Sequence, residues 1–274
     1  MSMSVNTNVA AMNAYRNLST SNDAMATSLE RLSSGYRINR AADDAAGLAI
    51  SEGLRSQIGG LTQAVRNTQD GISVVQTAEG ALDETTSILQ RMRDLAVQAS
   101  NDGALNEDAK ANIQKEVSQL QEELTRISDT TKFNGTALLT GEYDGTFQVG
   151  ANGGETISVT IGTDMDAAGL AVDSIDVTAD GGASDAIELI DTAIQTVSGV
   201  RADLGAKQNR FDHTINSLNV AIENTTASES RIRDTDMASE MTSYTSNQVL
   251  VQAGTAMLSQ ANSSTQSILK LLQG

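Results

Sequence analysis

The chain contains no cysteine and no proline, and aromatic residues make up only 3% of its 274 residues. Without cysteine, disulfides, thiolate catalysis and cysteine-ligated metal sites are excluded. Proline breaks helix interiors, so its absence permits very long helices. Because aromatic residues are scarce, apolar burial must rest on aliphatic residues, methionine and alanine, which suits slender helical packing better than a wide globular core.

The formal net charge is −17 and the pI is near 4.3. Such an acidic chain repels nucleic acid and anionic membranes, so neither is an expected partner. No stretch approaches 18 consecutive apolar residues, so no membrane span is expected. The first residues also lack the pattern of a secretory signal. By itself this predicts a cytoplasmic protein, an inference that fails for proteins exported without a cleaved signal.

Apolar residues recur at spacings of three and four in several segments, which predicts amphipathic helices. The first helix is expected to end at Gly35, and Asp43-Asp44 to cap a short second helix that runs to Gly59-Gly60. Further helices are predicted over residues 61–99, after Asn106 as far as about 127, from Ser184-Asp185 to about 222, and over 237–272. The third of these six would be about 55 Å long, too long for a compact domain of this size.

Residues 133–180 differ in character, because glycine is dense and threonine and valine become more frequent. Apolar and polar residues alternate in two stretches that predict a β-hairpin, with Phe147 and Val149 in the first and Ile157, Val159 and Ile161 in the second. Ile175 and Val177 suggest a further strand. The expected fold is therefore mainly α: a long antiparallel helical bundle or coiled-coil rod with a small β-hairpin insertion.

Both chain ends are nearly uncharged. Residues 237–274 contain two charged side chains, Glu240 and Lys270, and the first fifteen residues contain none, where average composition predicts roughly nine in the longer segment. A neutral polar face can be buried without removing ions from water, which costs several kcal/mol each. A membrane-surface helix, the rival interpretation, needs Lys or Arg on its polar face.

We therefore expect the two ends to pair through one apolar stripe each and to leave neutral outer faces for neighbouring subunits. Their weak helix propensity predicts that they fold fully only on docking. The residues of this predicted polymerisation core are Val5, Val9, Met12, Met25, Leu29, Leu32, Met241, Tyr244, Val251, Leu258, Leu269 and Leu272.

No motif for catalysis is present. One histidine, His213, cannot form an H-E-x-x-H zinc site, and neither G-x-S-x-G nor a Walker loop occurs. Asp164 and Asp166 resemble the start of a calcium loop but lack its glycine and terminal glutamate, which favours a solvated turn. Asn134-Gly135 likewise indicates a turn with positive φ angles rather than a glycosylation site. No enzyme activity, metal or cofactor is expected.

Several blocks in order resemble bacterial flagellin across nearly the whole chain. The blocks are Val5-Asn6-Thr7-Asn8, Asn17-Leu18, Glu30-Arg31-Leu32-Ser33-Ser34-Gly35-Tyr36-Arg37-Ile38-Asn39, Asp43-Asp44-Ala45-Ala46-Gly47-Leu48-Ala49-Ile50, Asp70-Gly71-Ile72-Ser73, Phe133-Asn134-Gly135, Gln252-Ala253-Gly254-Thr255-Ala256-Met257-Leu258 and Gln260-Ala261-Asn262. The resemblance implies an extracellular subunit that leaves the cell unfolded by flagellar type III export and polymerises into a helical filament for swimming.

The resemblance also implies a division into domains. Residues 1–43 and 232–274 would form D0, the coiled-coil inner tube of the filament. Residues 44–231 would form D1, the outer tube wall, with its hairpin region at 133–180. Only about 50 residues separate the fourth and fifth of the six predicted helices. The further outer domains of many flagellins are therefore expected to be absent.

The partners that the resemblance implies are other copies of the chain, the flagellar cap protein, the hook–filament junction proteins and an export chaperone. A host Toll-like receptor that senses flagellin would recognise the monomer at Gln90, Arg91, Leu95 and Glu116. Met92 and Asp94 are conservative departures from that pattern. The chain departs from the family at Thr265, where the family often has proline, and at its terminal Gln273-Gly274. The family's contacts in the filament lumen are therefore not assigned to this part of the chain.

Three alternatives remain at this point. A hook–filament junction protein shares related terminal helices but would match the central blocks less well. A flagellin with an enzyme domain would need a zinc motif and a longer centre. A soluble helical adaptor would stay monomeric when mixed with filament seeds.

Overall fold

The computed structural model describes residues 7–101, 103 and 105–273, and side chains as far as residue 264. Within this range the helices are α1 Val9–Ser34, α2 Ala45–Ala99, α3 Glu107–Thr130, α4 Gly182–Arg233 and α5 Met237–Gln273. The strands form two antiparallel pairs, β1 Lys132–Phe133 with β2 Thr136–Ala137, and β3 Tyr143–Gln148 with β4 Thr156–Ile161. The predicted mainly α fold with a small β insertion is confirmed.

Three predicted helix boundaries are confirmed by their caps. Gly35 follows α1 with a φ of 76°, and its N–H donates to the carbonyl of Arg31 at 2.8 Å. A left-handed residue of this kind is inexpensive only for glycine. The Asp44 carboxylate accepts from the N–H of Gly47 at 2.9 Å at the start of α2. Asn106 accepts in the same way from the first turn of α3.

The predicted break at Gly59-Gly60 is wrong, because α2 is continuous for 55 residues. Glycine inside a helix costs about 0.5–1 kcal/mol relative to alanine, which does not by itself end a helix. At Gly60 the absence of a side chain permits close packing. A Cβ there would lie 3.0 Å from the Cβ of Ala151, so glycine lets the turn after β3 approach the helix.

The chain divides into two compact units. The first unit comprises Met1–Ser56 and Asn224–Gly274, and the second comprises Gln57–Glu223. These boundaries differ from the predicted ones after residues 43 and 231. The assignment of the units to D0 and D1 stays a prediction.

The second unit has a continuous aliphatic core between its helices and the β region. Along α4 the buried large residues recur every seven positions, which agrees with the predicted spacings of three and four: Ile190, Val197, Leu204, Phe211 and Leu218. The Phe211 ring packs edge-on against Phe147, with centroids 5.7 Å apart. A Cβ at Gly71 would lie 2.9 Å from the same ring. Phe211 therefore fills space that α2 leaves open.

The predicted hairpin is confirmed, with Phe147 opposite Ile157 in the β3–β4 pair. Ile175 and Val177 are buried but form no strand, so that prediction is wrong. The backbone of this segment forms hydrogen bonds with the side chain of Gln114 on α3 instead of with a neighbouring strand. The Nε2 of Gln114 donates to the carbonyl of Ile175, and its Oε1 accepts from the N–H of Val177, both at 2.9 Å.

Sequence reasoning missed the short β1–β2 pair but found its turn. Asn134 and Gly135 have φ angles of 49° and 83°, which an Asn-Gly hairpin turn requires. The predicted turn with positive φ angles is confirmed.

Candidate assembly surface

In the first unit α1 packs against α5 along a narrow contact, which we call the seam. Its half-buried and buried residues recur at alternating spacings of three and four, the pattern of coiled-coil packing. On α1 they include Ala11, Ala14, Leu18, Ser21, Met25, Ser28 and Leu32, and Ala24, Glu30 and Arg31 are half-buried beside them. On α5 they are Glu240, Tyr244, Asn247, Val251, Gly254, Leu258 and Ala261.

The seam brings the two helices very close together. A Cβ at Gly254 would lie 3.2 Å from the Cδ1 of Leu18 and 3.8 Å from its Cα. Near the start of α1, the Nδ2 of Asn8 donates to the carbonyl of Ala261 at 3.0 Å. Small residues permit this approach, which accounts for a glycine in the middle of a 37-residue helix.

Charge is almost absent from α5. Between Met237 and Ser264, Glu240 is the only charged residue. Its side chain is 14% exposed and lies 3.6 Å from the guanidinium of Arg31 on α1. The single carboxylate of this stretch is thus paired with an arginine at the seam. The outer side of α5 can be covered without desolvating an ion, which would cost several kcal/mol.

The outer sides of both helices carry large apolar residues. We call them the outer apolar set: Val9, Met12, Tyr15 and Leu29 on α1, and Met241, Val249, Leu250 and Met257 on α5. Each is 50% to 64% exposed. Around the start of α1 they form part of a groove of about 610 Å³, lined by Thr7, Val9, Ala11, Met12, Asn13, Tyr15, Arg16 and Leu258. An exposed, mainly apolar groove of this kind is typical of an interaction site.

The structure divides the predicted polymerisation core between the seam and the outer surface. Seam positions are held by Met25, Leu32, Tyr244, Val251 and Leu258. Exposed positions are held by Val9, Met12, Leu29 and Met241. Val5 lies outside the described residues. Leu269 and Leu272 lie in α5 beyond the last described side chain.

The expectation that pairing buries one whole apolar stripe on each helix is therefore met only in part, because four of the predicted residues remain exposed. Small and polar residues such as Ala14, Ser21 and Ser28 occupy much of the seam on α1. Close helix approach selects small side chains at the contact, so several of the largest apolar residues are left outside. A search for large apolar residues at helical spacing cannot separate these two positions.

A second set of contacts joins the ends of α1 and α4, and sequence reasoning missed it. Tyr36 and Asp234 form an isolated antiparallel bridge. The guanidinium of Arg233 lies 4.9 Å from the ring centroid of Tyr36, and its Nη1 is 2.7 Å from Oε1 of Glu52. The hydrogen bond from Arg233 lowers the pKa of the exposed Glu52 carboxyl. No local spacing in the sequence connects residues so far apart.

Arg91 and Glu116, two of the residues predicted to bind a receptor, form an ion pair that joins α2 to α3. The Nη2 of Arg91 lies 2.6 Å from Oε1 of Glu116, and both side chains are about half exposed. Gln90 is also exposed, but Leu95 is 2% exposed and belongs to the core. Leu95 can therefore support this surface from beneath but cannot contact a partner directly, which corrects its predicted role.

His213 is exposed, on a groove of about 450 Å³ between α4 and the hairpin turn. Asp164 accepts from the hydroxyl of Ser128 and from the N–H of Asp166, as a turn residue does. In the part of the chain that is described, no three acidic or histidine side chains lie close enough to hold a metal ion. No helix in that part has the length and apolar character needed to cross a bilayer.

Comparison with known proteins bears on both units. Residues 5–144 match the bacterial flagellin N-terminal helical region, and residues 187–272 match the bacterial flagellin C-terminal helical region. The chain belongs to the bacterial flagellin family. The flagellin of Halalkalibacterium halodurans is 52% identical over 99% of this chain and 100% of that protein. The flagellin of Bacillus subtilis is 48% identical, again over 99% of this chain and all of the relative.

The crystal structure of Bacillus cereus flagellin is also similar to this flagellin. It is 34% identical with a TM-score of 0.51, covering 56% of this chain and 88% of that chain. The N-terminal match contains α1, α2 and α3, and the C-terminal match contains most of α4 and all of α5 except Gln273. The seam of this flagellin thus lies within the matched regions.

Proposed function

We propose that this flagellin is the structural subunit of a flagellar filament for swimming motility, and that copies join through the outer apolar set of α1 and α5. The observation that carries the proposal is eight large apolar side chains, each at least half exposed, on α1 and α5. Among the side chains of α5 that the structure describes, only that of Glu240 is charged. A second copy of the chain is the partner that covers these apolar side chains. Family membership supports a polymer of identical subunits.

The energetics favour this use of the surface. Fully burying a large apolar side chain contributes about 1.5–3 kcal/mol. Several such side chains per subunit offset the cost of association, which is at least about 4 kcal/mol. The one charge among the described side chains of α5, that of Glu240, is paired with Arg31 in the seam. Covering the outer side of α5 therefore requires no ion desolvation.

We propose that residues 1–43 and 232–274 form D0, the inner tube, and that residues 44–231 form D1, the outer wall. The charge distribution supports this arrangement, because acidic residues are concentrated in the middle of the chain and are scarce at its ends. The location is then the extracellular filament, reached by type III export without a cleaved signal. The cap protein, the junction proteins and an export chaperone are the proposed additional partners.

Seeded elongation with one substitution tests the assembly surface. Leu250→Glu places a carboxylate at a position that is 52% exposed in the single chain. The monomer is expected to keep its fold, because an exposed charge is hydrated. Elongation on sheared filament seeds is expected to fall by more than about tenfold, because the charge must be buried unpaired on docking. Light scattering and electron microscopy measure the effect.

Leu250→Met is the matched control, since it keeps the volume and apolar character of the side chain. It is expected to elongate as the unchanged chain does. The proposed surface is wrong if Leu250→Glu elongates at the rate of this control. A hook–filament junction protein or a soluble adaptor would fail to elongate even without substitution.

We further propose that the Toll-like receptor for flagellin binds the monomer at Gln90, Arg91 and Glu116. The ion pair between Arg91 and Glu116 supports this surface, because it holds two charged groups in a fixed arrangement across α2 and α3. Arg91→Ala is expected to lower the response of a receptor reporter cell line by about tenfold or more, since an interface arginine is a common hot spot.

Arg93→Ala is the control for the receptor assay. Arg93 stands two positions further along α2 and pairs instead with Asp191 of α4, with its Nε 2.6 Å from Oδ1. Both variants lose one surface ion pair, which contributes about 0–1 kcal/mol to stability. Equal responses from the two variants, or no response to the unchanged monomer, would contradict the receptor proposal.

A further inference from the structure

The methionines of this chain are divided sharply by exposure. In the second unit the two described methionines, Met92 and Met165, are both 0% exposed. The exposed methionines that the structure describes all lie on the terminal helices: Met12 at 59%, Met237 at 48%, Met241 at 50% and Met257 at 63%. Met25 is half-buried in the seam.

These four methionines border the contact between α1 and α5. Met12 and Met241 each come one position after a seam residue, and Met257 comes one position before one. Met237 is the first residue of α5. Met12 also lines the apolar groove at the start of α1. Their thioethers are therefore accessible to small molecules in the single chain.

We propose that Met12, Met237, Met241 and Met257 are a methionine-oxidation site whose modification stops self-association of the subunit. The chain has no cysteine and no tryptophan, so methionine is its most readily oxidised kind of side chain. This inference rests on the proposed function, because it requires a second copy of the chain to cover the same helices.

The oxidant is a peroxide, and its chemistry is simple. The thioether sulfur attacks one peroxide oxygen, the O–O bond breaks, and a sulfur–oxygen bond forms. With hydrogen peroxide the other oxygen leaves as water after taking up the remaining proton. The sulfur loses two electrons and the peroxide gains them. The product is methionine sulfoxide, which turns a flexible apolar side chain into a polar one.

A sulfoxide oxygen is well hydrated on the free chain but loses its water when a neighbour covers it. A polar group buried without a hydrogen-bond partner opposes docking. Oxidation is therefore expected to spare the fold of the monomer, since the core methionines are inaccessible, while it blocks polymerisation. Once the helices are covered in a filament, the same methionines are expected to resist the oxidant.

The test treats monomer and finished filament separately with dilute hydrogen peroxide, removes the peroxide with catalase, and locates each sulfoxide by peptide mass spectrometry. In the monomer the four exposed methionines are expected to react well before Met92 and Met165. Seeded elongation of the treated monomer is expected to fall by about tenfold or more, the effect of burying one or more unpaired polar groups. Methionine sulfoxide reductases A and B should restore it.

A chain with all four methionines changed to leucine gives the decisive comparison. Leucine keeps similar volume without the sulfur, so peroxide is expected to leave the elongation rate of this chain at its own untreated value. Met92→Leu is the control and is expected to remain sensitive. Continued sensitivity of the four-leucine chain would overturn the inference and place the effect elsewhere, for example at Met1 or Met3, which lie outside the described residues.

Two further outcomes separate this inference from the function on which it rests. If the untreated, unchanged chain does not elongate on seeds, the proposed function fails. If it elongates and still elongates at the same rate after the four methionines are oxidised, only the oxidation inference is overturned. Should the four-leucine chain not elongate, the reductase result decides, because repair acts on the unchanged sequence.

Discussion

A chain that lacks residues 240–274 is expected to show no filament elongation, while α2, α3 and α4 remain folded. The deletion removes nearly all of α5, including the seam residues Tyr244, Val251 and Leu258. The partner side chains on α1 then have nothing to pack against. The outer apolar set loses half of its members in the same step. Both the pairing and the docking surface are thus destroyed at once.

The second unit should be indifferent to this deletion. Its core consists of residues from α2, α3, α4 and the β region, and none of the α5 side chains that the structure describes belongs to it. Circular dichroism should show a lower helix signal with a retained cooperative thermal transition. Elongation is followed by light scattering on sheared seeds and by electron microscopy. Filament growth by the shortened chain would contradict our account of the terminal helices.

Replacing Phe211 with alanine is expected to destabilise the second unit by about 3–5 kcal/mol. The ring is 0% exposed, and it is among the largest fully buried side chains described. It lies against the edge of Phe147 and over Gly71, which offers no side chain to refill the space. Where the cost falls within this range depends on how far the surrounding helices close over the cavity.

Urea unfolding of the monomer, followed by circular dichroism, measures this cost. Val220→Ala is the matched control on the same helix, because Val220 is 58% exposed. A surface substitution of this kind is expected to change stability by no more than about 0.5 kcal/mol. A loss below about 1 kcal/mol for Phe211→Ala would mean that the helices close over the gap.

The parts of the fold that follow from local pattern were predictable. The spacings of three and four predicted α4, and its buried residues from Ile190 to Leu218 recur every seven positions. Gly35 and Asn106 marked helix ends, because a left-handed cap and a side-chain N-cap are properties of single residues. The Asn134-Gly135 turn is of the same kind.

The parts that failed depend on residues distant in sequence. A pair of glycines looks like a helix break until Ala151 is found against Gly60. Two alternating apolar residues look like a strand until Gln114 supplies the missing hydrogen bonds from a helix. Leu95 shares a surface motif in the sequence, yet its side chain points into the core.

The assembly surface illustrates the same limit. Low charge predicted that the terminal helices serve for packing, but the seam is defined by small residues such as Gly254 and Ala14. Those residues are inconspicuous in a hydrophobicity pattern. Which apolar side chains face the partner helix and which remain for a second copy depends on how closely the backbones approach.

The Tyr36–Asp234 bridge, with Arg233 held between Tyr36 and Glu52, has a practical meaning for variation in length. It holds the residues after α1 beside the residues after α4, although almost 200 residues separate them in the sequence. The entropy of closing a long loop rises by only about 0.6 kcal/mol for each doubling of its length. A guest peptide inserted at the exposed turn Asn152-Gly153-Gly154 would therefore be displayed without disturbing the terminal helices.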